Sequence, residues 1–328
     1  MSIATITTPR LVLRALSAKD LEPLHQVFGG KDVMRYFPST AAPTRDQVQK
    51  MISHQLKHWE EHGFGWWALE PREKDELIGW SGLQFLPETD EIEVAYLLAP
   101  AYWGQGLATE AAKASLRYGF EELGLESVVA IVHPENAASR RVIEKLGMSF
   151  VDQTPYFGMD CCRYAIGPAS FAKVQTIDRV AHKGREHFES GYYCAEGVLL
   201  AMAEAKGIQS DWIPMIATGF CSGVAQTCGT CGALSGAIMG LGLWAGRSVR
   251  GDDETVEANY ALVRRLIAAF EERFGSTNCR ELIECDLSTE EGQAFFWGND
   301  MFERCARFTE EATRMGMSLV GDGDGSFA

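Results

Sequence analysis

The sequence predicts a mixed α/β sheet with interleaved helices over residues 1–168, followed by an all-α helical domain over 169–320. Three observations carry that prediction. Short apolar runs alternate with amphipathic stretches up to Gly167-Pro168. Longer helical patterns at 171–190, 194–206, 254–274 and 300–315 then replace the strands, around a glycine-rich centre at 219–246. Seven of the nine cysteines also lie beyond that point, at Cys194, Cys221, Cys228, Cys231, Cys279, Cys285 and Cys305.

In chain order, Leu11-Val12-Leu13-Arg14 alternates as a short strand, and Lys19 to Gly29 reads as a helix. From Thr44 to Glu61, Val48, Met51, Ile52, Leu56 and Trp59 mark the apolar stripe of a second helix. Strands are expected at 65–70, 77–85 and 91–98, separated by Pro71 and Pro87. A helix over Thr109–Glu122, a strand over Ser127–Val132, a helix over Ala137–Leu146 and strands near 148–153 and 159–166 complete the pattern. On the last strand Cys161 and Cys162 should point to opposite faces, as packing residues rather than a dithiol. Residues 321–328 are polar and glycine-rich, the composition of a flexible tail.

The 328 residues carry a net charge of −15, and both halves are acidic: 16 Lys and Arg against 22 Asp and Glu through residue 168, then 14 against 23. That balance excludes a large sequence-independent nucleic-acid surface, which needs a basic stripe. The chain start lacks a signal-peptide pattern, and the apolar stretch Ala233–Ala245 is too short and glycine-rich to span a bilayer. A cytoplasmic protein, with no nucleic-acid or membrane partner, is expected. Thiols there are normally reduced, so the cysteines point to metal or redox chemistry more than to structural disulfides.

The most informative segment is Trp103-Gly104-Gln105-Gly106-Leu107-Ala108, which follows the strand at 91–98 and precedes a helix at Thr109. Glycines let backbone approach an anion, and a helix start aims unpaired N–H groups at it. By itself the loop is equally a tight turn. Its setting resembles the GNAT superfamily of N-acetyltransferases, in particular the branch that acetylates protein N-termini, antibiotics and other amines. The matching residues are Thr8 to Arg14 with Asp20-Leu21, Val33 to Phe37, Leu77 to Gly79, Tyr102 to Ala111, and Asn136 to Ser139 with Glu144 to Met148.

The resemblance implies a splayed central sheet whose fourth and fifth strands part to admit acetyl-CoA. It places the pyrophosphate on the loop from Trp103 through Gly104, Gln105, Gly106, Leu107 and Ala108 to Thr109. The pantetheine would lie along Tyr96, Leu97 and Leu98, with Asn136 and Ser139 at the thioester end; Asn136 as a plain helix cap is the alternative. Relatives often carry a tyrosine general acid where this chain has Ile143, so the acid is unassigned. Attack by an amine also needs a base, and Glu93 is the carboxylate best placed for that role, against a reading as an ordinary strand residue beside Glu91.

In the second half, Cys228-Gly229-Thr230-Cys231 is a CxxC followed by Gly232 to Gly240 with small residues at helical spacing. A cysteine at a helix N-terminus has a stabilised thiolate, so Cys231 is expected to be the most reactive or most tightly ligated thiol. Gly236 and Gly240 would let a second helix approach closely. The segments Cys194–Glu196, Thr230–Gly236, Phe274–Leu282 and Arg304-Cys305 resemble a family of redox proteins named for its C-GCAxxG-C-C pattern. The resemblance implies a metal or redox role for Cys194, Cys231, Cys279 and Cys305, to which the CxxC adds Cys228. An iron–sulfur cluster, zinc and thiol–disulfide exchange all remain open.

The leading expectation is an N-acetyltransferase moving acetyl from acetyl-CoA to an amine, either a protein N-terminus or a small molecule, with a fused cysteine module. An acyl-CoA-sensing regulatory protein without turnover is the alternative; a third reading makes the cysteine domain the main enzyme. Homodimerisation is left open.

Overall fold

The structure, a computed structural model, describes residues 3–87 and 89–320; the tail expected at 321–328 lies outside the described residues. The chain divides into two compact units, Met1–Ala172 and Lys173–Ala328.

The first unit is built on one sheet of eight strands: β1 (Ile6–Thr7), β2 (Leu11–Ala15), β3 (Trp66–Pro71), β4 (Gly79–Phe85), β5 (Ile92–Leu98), β6 (Val128–Val132), β7 (Ser149–Tyr156) and β8 (Met159–Ile166). Their spatial order is β1-β2-β3-β4-β5-β6-β8-β7. Neighbours run antiparallel except β5 and β6, which are parallel. Helices α1 (Leu21–Phe28), α2 (Arg45–His62), α3 (Leu107–Glu121) and α4 (Ala137–Lys145) interleave with the strands. Alternation decides which face each residue buries. Leu11, Leu13, Trp67 and Leu69 pack with Ala111, Ala112 and Leu116 of α3, whereas Ala68, Trp80 and Leu97 pack with Leu24 of α1 and Ile52 of α2. Cys161 and Cys162 likewise enter different apolar clusters, as their spacing predicted.

Turn chemistry fixes the ends of these elements. Thr44 caps α2 by accepting the Gln47 N–H at 3.3 Å, and Gly63 stops it with φ +76°. Strand β4 begins at Gly79, two residues later than its apolar run. A Cβ there would stand 2.0 Å from the Leu97 carbonyl oxygen, so only glycine permits the approach of β4 to β5.

A buried charge cluster ties β2 to the start of α1 and to β3. Arg14 donates to both Asp20 carboxylate oxygens at 2.8 and 2.6 Å and to Glu70 at 2.5 Å, while the Ser17 N–H also reaches Asp20. Asp20 is 1% exposed.

The second unit is helical. The first of its helices is α5 (Pro168–Glu189). It is followed by α6 (Cys194–Ala205), α7 (Trp212–Ala217), α8 (Cys221–Gln226), α9 (Gly232–Ala245), α10 (Asp253–Phe274), α11 (Cys279–Ile283), α12 (Glu290–Gly298) and α13 (Met301–Val320). The long helices follow the sequence pattern; α7, α11 and α12 are too short for periodicity to reveal, and α8 is a left-handed turn rather than a regular α-helix. Helix α9 packs against α6, α10 and α13. Gly236 and Gly240 make the α6 contact possible, since a Cβ at Gly236 would meet the Ala195 oxygen at 2.6 Å and one at Gly240 the Met202 sulfur at 2.2 Å. Among the described residues no helix is long and apolar enough to cross a membrane.

Burial alone would raise the Asp20 carboxyl, but the Arg14 and Ser17 hydrogen bonds outweigh it and hold it below its ordinary range. A depressed folded pKa means stabilisation present above the unfolded value, about 3.9, and lost as pH falls through the folded one. Asp20→Asn should therefore lower the melting temperature at pH 7, at a cost of about 3–5 kcal/mol for breaking a buried pair. The gap from the unmodified protein should narrow below about pH 4 in thermal unfolding scans.

Candidate functional site

The expected fourth and fifth strands, 91–98 and 127–132, are β5 and β6 because the short β1 precedes them, and it is these two that part. Strands β4 and β5 pair along their whole length, but β5 and β6 share a single register pair, Glu93 with Val129. From Val94 onward β5 has no partner on that side among the described strands, and Glu93 stands where the gap opens. The alternation along β5 sends its residues to two different sides. Glu93, Ala95 and Leu97 face the layer of α1 and α2, while Val94, Tyr96 and Leu98 face that of α3.

Glu93 is 7% exposed and lies directly across from Gln84 on β4. The Gln84 amide nitrogen donates to a Glu93 carboxylate oxygen at 2.5 Å, and the Gln84 amide oxygen accepts the Trp66 indole N–H at 2.7 Å. An indole can only donate, so it fixes which end of the Gln84 amide faces Glu93. Burial pushes the Glu93 carboxyl up to about 7, and the Gln84 hydrogen bond opposes that rise. On the other face, the Tyr96 hydroxyl meets Ser139 Oγ at 2.7 Å at the start of α4. Asn136 accepts the Ser139 N–H at 3.1 Å and so caps α4, the alternative role its position allowed. Ile143 is a core residue, 1% exposed.

The glycine loop leads from β5 into α3. Gly104 and Gly106 have φ +75° and +78°, and Gly106 is the N-cap of α3 with no side-chain cap. Helix geometry leaves the N–H groups of Gly106, Leu107, Ala108 and Thr109 without intrahelical partners. The helix starts two residues earlier than its sequence pattern, so Leu107 and Ala108 belong to the first turn rather than to the loop. The space above the loop is open: a Cβ on Gly104 would meet nothing within 4 Å, and one on Gly106 only Arg10 at 3.5 Å. Trp103 is half-exposed, and its indole donates to the Leu98 carbonyl at 2.7 Å, which binds the loop to the end of β5. Gln105 donates from its side-chain amide to the Ala101 carbonyl at 2.9 Å.

Sequence reasoning missed what braces this loop. Arg10 donates to the Gln105 carbonyl at 2.8 Å and to Glu110 at 2.7 Å, while Thr8 and the Arg10 N–H also donate to Glu110. The two partners are 100 residues apart and no spacing rule joins them. Orphaned helix amides, open space over two left-handed glycines and a cation beside them suit the pyrophosphate of a CoA thioester.

In the second unit, Thr230 and Asn278 form an isolated antiparallel bridge that straps the CxxC segment to the start of α11. The Cys231 N–H donates to Thr277 O at 2.8 Å, the Cys279 N–H to Gly229 O at 2.9 Å, and the Asn278 amide to Cys228 O at 2.6 Å. Cys228, Cys279 and Cys285 thereby line one shallow cleft with Arg280. Cys305 lies deeper, its thiol raised by burial and then by Cys231, Cys279 and Cys285. Cys194 Sγ instead stands beside Gly232 and Cys221. Among the described residues no group of three or more His, Cys, Asp or Glu side chains is arranged to hold a metal ion.

The backbone leading to this cleft is left-handed. Ser222, Gly223, Val224 and Ala225 have φ of 55°, 69°, 59° and 53°, and Gln226 and Cys228 follow at 65° and 59°. Left-handed conformers cost roughly 1–2 kcal/mol per non-glycine residue, so neighbours must hold this turn in place. Gly223 does so by close packing, since a Cβ there would stand 2.6 Å from that of Cys279.

Burial opposes the reactivity expected of Cys231. It does sit at the N-cap of α9, but it is 5% exposed, and burial pushes its thiol up to about 12 despite the Ala233 and Leu234 N–H groups beside it. Desolvation outweighs the helix dipole. In reduced, metal-free protein, iodoacetamide at pH 6.5 should modify the half-buried Cys228 and Cys194 before Cys231. Peptide mapping should find Cys231 labelled only after unfolding.

Both parts of the chain are similar to known proteins. Residues 10–149 match the family described as "Acetyltransferase (GNAT) domain" and residues 192–319 the family described as "Putative redox-active protein (C_GCAxxG_C_C)". The uncharacterized N-acetyltransferase YoaA of Bacillus subtilis strain 168 is 32% identical over 143 residues, 43% of this chain and 81% of that protein. Spermidine N(1)-acetyltransferase of Escherichia coli K12 is 30% identical over 138 residues, 42% of this chain and 72% of that enzyme. A solved acetyltransferase from Agrobacterium tumefaciens strain C58 is 28% identical, with a TM-score of 0.46, over 51% of this chain and 95% of that one. The chain thus belongs to the GNAT acetyltransferases through its N-terminal unit, and carries a C-GCAxxG-C-C domain after it.

Proposed function

We propose that the first unit transfers acetyl from acetyl-CoA to a primary amine, with Glu93 as general base. The observation that carries this reading is the opening of the β5–β6 gap at Glu93, next to a glycine loop with unpaired helix amides. The amides from Gly104 to Thr109 would hold the pyrophosphate, braced by Arg10 through the Gln105 carbonyl. The β5 edge at Tyr96, Leu97 and Leu98 would pair with the pantetheine arm as an added strand does. When bound, the thioester supplies an activated acetyl group.

The two faces of β5 then divide the work. Tyr96 and Ser139 occupy the α3–α4 side, where burial keeps the Tyr96 hydroxyl protonated and able to donate. Glu93 occupies the α1–α2 side, from which the amine would approach. A carboxyl with pKa about 7 is half ionised near neutral pH and can take the ammonium proton before attack. The spermidine-acetylating relative makes polyamines the first acceptors to try, alongside peptides with free N-termini. Release of the CoA thiol with such a panel tests the reading, and acetyl-CoA binding without turnover would support a sensor instead.

For the C-terminal unit we propose thiol chemistry, supported by five cysteines gathered around α9 and α11. Visible absorption and metal content of anaerobically purified protein separate that from a metal centre.

Glu93→Gln should lower kcat/KM about 10²–10⁴-fold, the range for a lost general base, with little change in acetyl-CoA affinity. In the unmodified protein kcat/KM should fall as pH drops through about 7, where Glu93 gains its proton. Gln84→Leu removes a donor to the carboxylate and should move that limb to higher pH.

Gly106→Val should abolish CoA binding in calorimetry while leaving the circular dichroism spectrum unchanged. The added branches disfavour a φ of +78° and enter the open space above the loop.

A further inference from the structure

We propose that Cys194 and Cys221 form a redox-active dithiol that closes to a disulfide by exchange with a low-molecular-weight disulfide. Three observations converge on the pair. Cys194 Sγ and the Cys221 Cα lie 2.4 and 3.1 Å from the point a Cβ at Gly232 would occupy, so a side chain at position 232 would crowd both residues. The two thiols meet as hydrogen-bond partners, the approach that a bridge requires, since disulfides join cysteines with Cα separations of about 4.4–6.8 Å. Cys221 is also the residue from which the left-handed turn Ser222–Ala225 departs. A cross-link there would pin one end of a backbone that side chains otherwise disfavour. Finally, the two thiols differ in access: Cys221 is 4% exposed, whereas Cys194, at the first position of α6 next to exposed Tyr192 and Tyr193, is half-buried.

That asymmetry assigns the roles. The Cys194 thiolate attacks one sulfur of the small disulfide, a new S–S bond forms, and one small thiolate leaves. Cys221 then attacks the Cys194 sulfur of that mixed disulfide and expels the second small thiolate. Each cysteine gives up one proton, which ends on a released thiol. The protein loses two electrons and the small disulfide gains them. Cys194 acts first because the Cys194 thiol beside it, and then burial, hold the Cys221 thiol well above its ordinary range. Cys221 lies outside the four-cysteine family pattern, so this pairing takes one cysteine from that pattern and joins it to one peculiar to the segment before α9. It does not depend on the acetyl-transfer reading.

The test uses the reduced full-length protein treated with increasing glutathione disulfide, acid-quenched, alkylated and mapped by mass spectrometry without reduction. The expected result is a cross-linked Cys194–Cys221 peptide two hydrogens lighter than the reduced pair. It should be accompanied by slowed amide exchange over residues 221–228. Cys221→Ser should lose that peptide and accumulate Cys194 as the glutathione mixed disulfide. Cys221→Ala, checked by circular dichroism, guards against a folding defect in the serine variant. Joining of Cys194 to Cys231, Cys279 or Cys305 would overturn the proposal. So would persistence of the mixed disulfide at Cys194 in the unmodified protein.

Discussion

Between β5 and β6 the sheet of the first unit has one register pair, at Glu93 and Val129, and beyond it the strands diverge. A sheet normally satisfies its backbone groups strand by strand, and an open edge inside it has to be filled or covered. The surrounding structure holds the divergence in place. Strand β4 binds the far side of β5 along its full length, Gly79 allows the closest part of that contact, and Tyr96 reaches across to Ser139 at the start of α4. Because the gap opens at Glu93, the same feature that parts the two strands also sets a buried carboxylate at its apex.

The electrostatics of the site follow from burial more than from charge pairing. Among the described residues Glu93 bonds to no cation; it faces an amide whose orientation an indole has already fixed. The Arg14–Asp20 pair, also buried, shows the opposite outcome, because a bidentate guanidinium overcomes the same desolvation. Two carboxylates within one unit are thus driven in opposite directions, one towards proton exchange near neutrality and one towards permanent ionisation.

In the second unit small residues do the organising. Gly236 and Gly240 bring α6 onto α9, Gly223 brings the left-handed turn onto Cys279, and Gly232 brings Cys194 onto Cys221. Cysteines scattered over more than a hundred residues are collected by backbone approach rather than by spacing in the chain. Their thiols are correspondingly desolvated, and at Cys231 burial opposes the helix dipole although the helix starts where it should.

Much of this molecule could be read from residue order alone. Period-two and period-3.6 patterns located the seven longer strands and the principal helices, since each buries a continuous apolar stripe. The glycine loop before α3 was equally visible, because the left-handed φ of Gly104 and Gly106 favours glycine locally. Other features depend on contacts between distant segments. The Arg10–Glu110 brace, the Trp66–Gln84–Glu93 chain and the Cys194–Cys221 contact each join residues that no local pattern relates. Ionisation belongs with them, because a pKa is set by what surrounds a group in space. Sequence could name Glu93 and Cys231 as candidates, but only packing decided that burial would bring the carboxyl close to neutrality and carry the thiol far above it.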